Sequence, residues 1–495
     1  MMKKYSLYVA SLVLVAGCVA THQSVELQPA LLRSPELLAQ QQQNYEDDIY
    51  PFFEEYCFSC HGNRRQKADV NLEAVTALSG MAEHPDLWER ALTMLNTAQM
   101  PPKDKDQPDE ADRAEIALFI ESELDAATQA MRPDPGRVTA KRLNRQEYDN
   151  TIRDLLGVDT NPAKVFPVDD SGYGFDNIGD VLSISPVLME KYLTAAEEIV
   201  ALAMAQERDA STSTESRLFA CAHTSGTHTD ACATDALRQF TARAYRRPVS
   251  NAEVRDLMKL VRLALREGDT LEDGMELALQ SILISPKFLF RIEQNQHANN
   301  AQTLRYINDY ELASRLSYFL WSTMPDEELF ELARSQTLRD PEVLKAQIKR
   351  MIQDEKSWGF IENFTGQWLE LRNLEFAGRN GELYPGFNGA VSNAMRKESE
   401  LFFQAVVRDN MSLLNFLDSD FTYVNEALAN YYGIEGVTGE AHQRVAVDGV
   451  QRGGVLTQGS ILTITSRPTR TSPVLRGAWV MENILGAAPP PPPPP

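Results

Sequence analysis

The chain has 495 residues, 70 of them acidic and 48 basic, for a formal net charge of -22 at pH 7. That balance argues against nucleic acid as a main partner, because phosphate binding needs a basic surface. Hydrophobic residues make up 43%, enough for large buried cores, and the length suggests roughly three or four domains.

The N-terminus has the pattern of a targeting segment. Lys3 and Lys4 supply positive charge, and Tyr5 to Ala16 forms an apolar run too short to span a bilayer. It ends in Val15-Ala16-Gly17-Cys18, which resembles the lipobox of bacterial lipoproteins, where the cysteine becomes the lipidated first residue. The other reading is an ordinary secretory signal with a chance cysteine. Val19 is not the aspartate of inner-membrane retention, so the resemblance implies the outer membrane. Residues 19–44, with Gln and Ser between Thr21 and Gln43 and notably Gln40 to Gln43, read as a flexible tether. The expectation is a protein exported and lipid-anchored, facing the periplasm or the cell surface, and not spanning the membrane.

A first domain is expected over residues 45–131. Ile49 to Tyr56 reads as a short helix that delivers Cys57-Phe58-Ser59-Cys60-His61. Cys-x-x-Cys-His is the attachment signature of a c-type haem: two thiols at this spacing reach the two vinyl groups, and the next residue ligates the iron. A redox dithiol shares the Cys-x-x-Cys, and a zinc site would need a second such pair, which is absent. One covalent haem c is therefore expected on Cys57 and Cys60, with His61 as proximal ligand. Arg64 and Arg65 could pair with the propionates or simply be solvated. Leu87, Trp88, Ala91, Leu92 and Leu95 form a helical apolar stripe. After it, Met100-Pro101-Pro102 ends the helix and holds the backbone extended, so that the Met100 thioether can project as distal ligand. Met94, inside the stripe, suits a core position, and His84 is the other distal candidate. A closing helix over Glu110 to Leu124 would turn Ala114, Ala117, Leu118 and Leu124 inward.

Arg132-Pro133-Asp134-Pro135-Gly136 marks a domain boundary. Beyond it the periodicities are mostly helical: Leu143 to Leu156, Val187 to Gln206, Val254 to Arg266 and Leu312 to Trp321, with shorter runs after them. Ser250–Glu253 and Asn308–Glu311 have the spacing of capping boxes. The expected fold is mainly α and multidomain. An N-terminal cytochrome-like helical domain precedes a larger helical body, divided into residues 138–206, 235–296, 303–433 and 445–495.

Several motifs in order carry a resemblance. After the Cys57–His61 stretch come Arg142-Leu143-Asn144-Arg145-Gln146-Glu147-Tyr148 and Gly172-Tyr173-Gly174-Phe175-Asp176-Asn177. Then follow Arg243-Ala244-Tyr245-Arg246-Arg247-Pro248, Ala313 to Trp321, and Arg452-Gly453-Gly454 through Arg476-Gly477. This succession resembles the secreted planctomycete-type cytochrome c proteins, built from a haem module and several domains of unknown function. The resemblance implies a haem-binding module and a helical body whose activity the family does not supply. Family members continue past the proline-rich stretch, whereas this chain stops at Pro489 to Pro495, so its last domain is expected to be truncated.

Three constellations remain. Asp169, Asp170, Asp176, Asn177 and Asp180 could hold calcium, though an Asp- and Gly-rich turn explains them as well. Cys221, His223, His228 and Cys232 could bind zinc, but in an oxidising compartment a Cys221–Cys232 disulfide is the preferred expectation. Arg467, Arg470 and Arg476 could bind an anion or serve local hydrogen bonding. No Ser-His-Asp order, phosphate loop or metalloprotease helix stands out, so no catalytic residue is assigned. Ligation by both His61 and Met100 would leave no open iron site, which suits one-electron transfer with a redox partner protein. The alternatives are an oxidoreductase acting on an extracellular substrate, a glycan among the candidates, and a scaffold or binding lipoprotein.

Overall fold

Side-chain caps decide where many helices of this chain begin. Asn144, Ser250, Thr270 and Asn308 each accept from a backbone N–H three residues on, and an acidic side chain at that position reaches back. The structure is a computed structural model describing residues 42–74, 81, 83–130, 139–209, 217–219, 228–293, 306–448 and 452–488. The protein is mainly α and multidomain. Chain contacts divide it into two units, one of residues 20–137 with 296–305 and one of the remainder.

In the first unit a π-helical turn (Tyr45–Ile49) runs into α1 (Tyr50–Tyr56) and then α2 (Phe58–His61). After a short strand β1 (Arg65–Gln66) come α3 (Pro85–Asn96) and α4 (Glu110–Ala130), which pack together. Its core holds Tyr45, Ile49, Phe53, Leu72, Met81, Trp88, Leu95, Ile116 and Ile120. Two details depart from the sequence expectation. In α4 it is Ile116, Ala117 and Ile120 that face inward, whereas Ala114 and Leu118 are exposed. The larger β-branched side chains set the phase of the stripe, and a helix can bury only one arc. Met94 is only half-buried, and the fully buried methionine is Met81.

In the second unit, β2 (Lys141–Arg142), α5 (Arg145–Leu156) and α6 (Pro186–Asp209) share one core with α7 (Asp230–Ala244), α8 (Asn251–Glu267), α9 (Leu271–Leu283) and α10 (Pro286–Leu289). The described residues of the two stretches set apart in the sequence, 139–206 and 235–293, thus bury against each other. β2 pairs antiparallel with β3 (Phe290–Arg291), so the two ends of this layer meet. Then come α11 (Asp309–Leu320), α12 (Glu327–Arg334), α13 (Pro341–Gln353), α14 (Trp358–Trp368) and α15 (Gly389–Arg408). An aromatic cluster of Phe360, Phe402, Phe403, Phe416, Phe421 and Trp479 joins α14 and α15 to the last segment. That segment contains the antiparallel pair β4 (Phe421–Val424) and β5 (Gln443–Ala446), with α16 (Glu426–Tyr432) between them. It ends in α17 (Gly459–Ile464), the hairpin β6 (Ser466–Arg467) and β7 (Arg470–Thr471), and α18 (Pro473–Trp479). Among the described residues, no helix is long and apolar enough to cross a membrane.

Candidate functional site

Cys57 sits at the junction of α1 and α2. Its N–H donates to the Phe53 carbonyl at 2.9 Å, and its own carbonyl accepts from Cys60 at 3.1 Å and His61 at 2.9 Å. One helical turn therefore places Cys57, Cys60 and His61 at i, i+3 and i+4 on one face. Both cysteines are free thiols and half-buried. Burial, with Cys60 alongside, pushes the Cys57 thiol up to about 12. A disulfide-exchanging dithiol needs the opposite, a thiol lowered toward neutrality. The Nδ1 atom of His61 is buried with no hydrogen-bond partner, which is rare for a buried polar atom and marks a ring short of one interaction.

The turn after His61 is held tightly. Leu72 N–H donates to the His61 carbonyl at 2.7 Å, and Asn63 N–H donates to a Glu73 carboxylate oxygen at 2.7 Å. A Cβ on Gly62 would lie 2.5 Å from that carboxylate and 2.6 Å from the Phe58 carbonyl oxygen, so only glycine fits this close approach. Arg64 and Arg65 are exposed.

Trp88 of α3 is fully buried and meets Phe53 edge-on at 5.1 Å between ring centroids. It packs on the helix that leads into Cys57, and its indole N–H has no acceptor. The two candidates for the distal position lie at opposite ends of α3. His84 is its exposed N-cap residue, and Met100 follows its last turn with 37% exposure. Twelve helical residues separate those ends by about 18 Å, so one iron can take only one of them. The N–H groups of Gln99 and Met100 both donate to the Met94 carbonyl, at 3.0 and 3.2 Å. Two residues not singled out in the sequence, Gln107 and Arg113, bond the carbonyls of the Met100 loop. Two free thiols and a histidine on one helix face fit a c-type haem.

The other candidate groups are committed elsewhere. Asp169 accepts from the Arg142 guanidinium at 2.7 Å and from Arg145 N–H at 2.8 Å. Asp176 accepts from Asn144 at 2.9 Å and from Arg372 at 2.7 Å. Asp170 and Asp180 are exposed. Asp169 and Asp176 are thus spent on protein partners around residues 142–145 and on Arg372. Cys18, Cys221 and His223 lie outside the described residues. Cys232 is disulfide-bonded, and His228 pairs with Glu272 at 2.9 Å and stacks on Phe219 at 4.1 Å. Arg467 and Arg470 oppose each other across the β6–β7 hairpin, while Arg476 reaches the hydroxyls of Thr465 and Ser466. Among the described residues, no group of three or more His, Cys, Asp or Glu side chains is placed to hold a metal ion.

The arginines of Arg243–Pro248 are structural. Arg246 is buried and donates to the carbonyls of Lys287, Phe288 and Phe290 at 3.1, 2.9 and 2.9 Å. Arg247 forks onto Glu253, the acidic partner in the capping box of α8. Those bonds hold the Glu253 carboxyl well below the usual carboxylate range.

Comparison with known proteins gives five family models in chain order. The planctomycete cytochrome C domain matches residues 57–104. Proteins of unknown function match residues 141–205 (DUF1587), 232–293 (DUF1595), 307–434 (DUF1592) and 452–495 (DUF1588). No curated protein and no solved structure matches the chain. With the Cys57–His61 turn at the head of that succession, the chain belongs to the planctomycete-type cytochrome c proteins, in which a cytochrome c domain precedes several domains of unknown function.

Proposed function

We propose that this protein is an exported, lipid-anchored c-type cytochrome that passes single electrons in the periplasm or at the outer membrane. The observation behind this reading is the helical turn that sets Cys57, Cys60 and His61 on one face, with both thiols free. Cys57 and Cys60 would hold one haem covalently, and His61 and Met100 would hold its iron. Bound there, the haem supplies a one-electron couple. The chain's own residues do the rest. The apolar cluster of Phe53, Leu72, Trp88, Ile116 and Ile120, against which Cys57 packs, would keep water from the haem, and Met100 would be the second residue holding its iron.

In this reading the helical body is a platform for a redox partner protein. Its motif residues support that role, since Arg142, Asn144, Glu147, Asp169, Asp176 and Arg246 are all spent on internal bonds. Anchoring would come from Cys18, behind the tether of residues 19–44. The test is a spectroscopic redox titration of the purified protein with and without extracellular substrates such as glycans. A single one-electron wave that substrates leave unchanged is expected. Substrate-driven reduction with turnover would replace electron transfer by direct oxidation as the function.

A further inference from the structure

The loop that carries Met100 has few backbone donors of its own, because Pro101 and Pro102 lack N–H groups. Its carbonyls are gathered instead by two side chains. Gln107 donates through Nε2 to Pro101 at 3.2 Å, Pro102 at 2.8 Å and Lys105 at 3.1 Å, two N–H groups shared among three acceptors. Arg113 donates through Nη1 to the Met100 carbonyl at 2.6 Å and through Nη2 to Gln107 Oε1 at 3.2 Å. The two side chains thus form one connected brace.

The brace has a firm base. Arg113 lies in the first turn of α4, which Asp109 caps by accepting from Asp112 N–H at 2.8 Å. Counting along the helix, positions 113, 116, 117, 120 and 124 share one face. Ile116 and Ile120 on that face are buried in the core against which Cys57 and Phe58 pack, and Ala117 is buried as well. The helix that closes this module therefore also grips the Met100 loop through Arg113 in its first turn.

We propose that Gln107 and Arg113 are positioning residues that keep the Met100 thioether at the sixth coordination position. This rests on the reading of Met100 as distal ligand. Without the brace, Met100 would leave the iron more often and let small ligands in, although the module would still fold and hold its haem.

The experiment compares the haem-loaded wild type with Gln107→Ala, Arg113→Ala, Arg113→Lys, Met100→Ala and, as a control on the same loop, Lys105→Ala. Three readouts are followed: the near-infrared band of ferric His/Met haem against denaturant, carbon monoxide binding to the ferrous form, and far-ultraviolet dichroism for global unfolding. Each alanine variant of the brace should lose the band at lower denaturant than its helix signal, and should bind carbon monoxide about tenfold faster, the factor that the net worth of about one hydrogen bond implies. Arg113→Lys, which keeps the charge and one donor, should fall between, and Lys105→Ala should match wild type. If Arg113→Ala takes up no haem, Gln107→Ala decides the matter, since it leaves α4 intact.

Wild-type band stability and carbon monoxide binding in Gln107→Ala would overturn the brace. That failure is distinct from failure of the ligand reading. In the first case the band is present, depends on Met100 and ignores Gln107. In the second the wild type lacks the band or Met100→Ala keeps it, and the positioning role falls with it.

Discussion

The Tyr432 hydroxyl donates to Glu398 Oε2 at 2.6 Å, and the Thr422 hydroxyl donates to the other carboxylate oxygen at 2.6 Å. Gly459 N–H donates in turn to the Tyr432 oxygen at 2.8 Å, and the Arg452 guanidinium covers the Tyr432 ring at 3.4 Å. Burial is the largest influence on Glu398 and pushes its carboxyl up to about 7, with the two hydroxyls and Arg452 pulling the other way. Glu400, on the same helix, is pushed up to about 7 by burial as well.

A carboxyl raised in the folded state holds a proton that the unfolded chain has already released. Stability is therefore greatest below the ordinary carboxylate range, falls as pH rises toward about 7, and levels off above it. For Glu398 the change amounts to roughly 3 kcal/mol. Glu398→Gln should remove its share of this slope and leave that of Glu400. The check is denaturant unfolding of both proteins from pH 4 to 8. An unchanged slope in Glu398→Gln would show that this carboxyl does not titrate in the window.

Arg246 gathers three carbonyls around the turn after α9 and also lies over the Tyr318 ring at 5.6 Å. Arg246→Ala would leave the buried Phe288 carbonyl and its two part-buried neighbours unmatched, at a cost of about 3 kcal/mol. Arg246→Lys should recover less than half, because one ammonium cannot reproduce the planar fork. Unfolding midpoints measure both. Equal stability of the three proteins would refute the role assigned to Arg246.

Local signals made much of the fold legible in the sequence. Capping boxes work between residues three apart, so Ser250–Glu253 and Asn308–Glu311 announced α8 and α11 directly. Cys57–His61 declared its own geometry for the same reason, since one turn contains it. What stayed hidden depends on distance along the chain. Glu398 and Tyr432 are 34 residues apart, and a lone glutamate in a helix looks the same whether buried or solvated. β4 and β5 enclose a helix, so no tight turn signals their pairing. Gln107 and Arg113 bond backbone carbonyls, which every residue possesses, and no pattern of residue types points to that.

Met100 and Met94 separate the two meanings of a methionine in this module. Met100→Ala should abolish the near-infrared band, lower the reduction potential and open the iron to carbon monoxide, because a neutral thioether favours the ferrous state. Met94, half-buried on α3, should cost about 1 kcal/mol when truncated and leave the band intact. Met81→Ala should cost more, about 2–5 kcal/mol, since that side chain is fully buried. A wild type that lacks the band would shift the distal role to His84, and a band that survives Met100→Ala would shift it to another methionine.

Cys18 is the expected anchor. Cys18→Ser should move the protein from the membrane fraction to the soluble periplasmic fraction, while the haem content per chain stays the same. Unchanged fractionation would show that attachment to the membrane does not depend on this cysteine.

The central claim is that one haem is bonded to Cys57 and Cys60. Intact-mass measurement after acid–acetone extraction tests it most directly, on the wild type and on Cys57→Ala with Cys60→Ala. The wild type should keep its colour on the polypeptide and gain the mass of one haem. The double variant should carry neither. Colour passing into the acetone, or a wild-type mass equal to that of the bare polypeptide, would contradict covalent attachment and, with it, the electron-transfer function proposed for the protein.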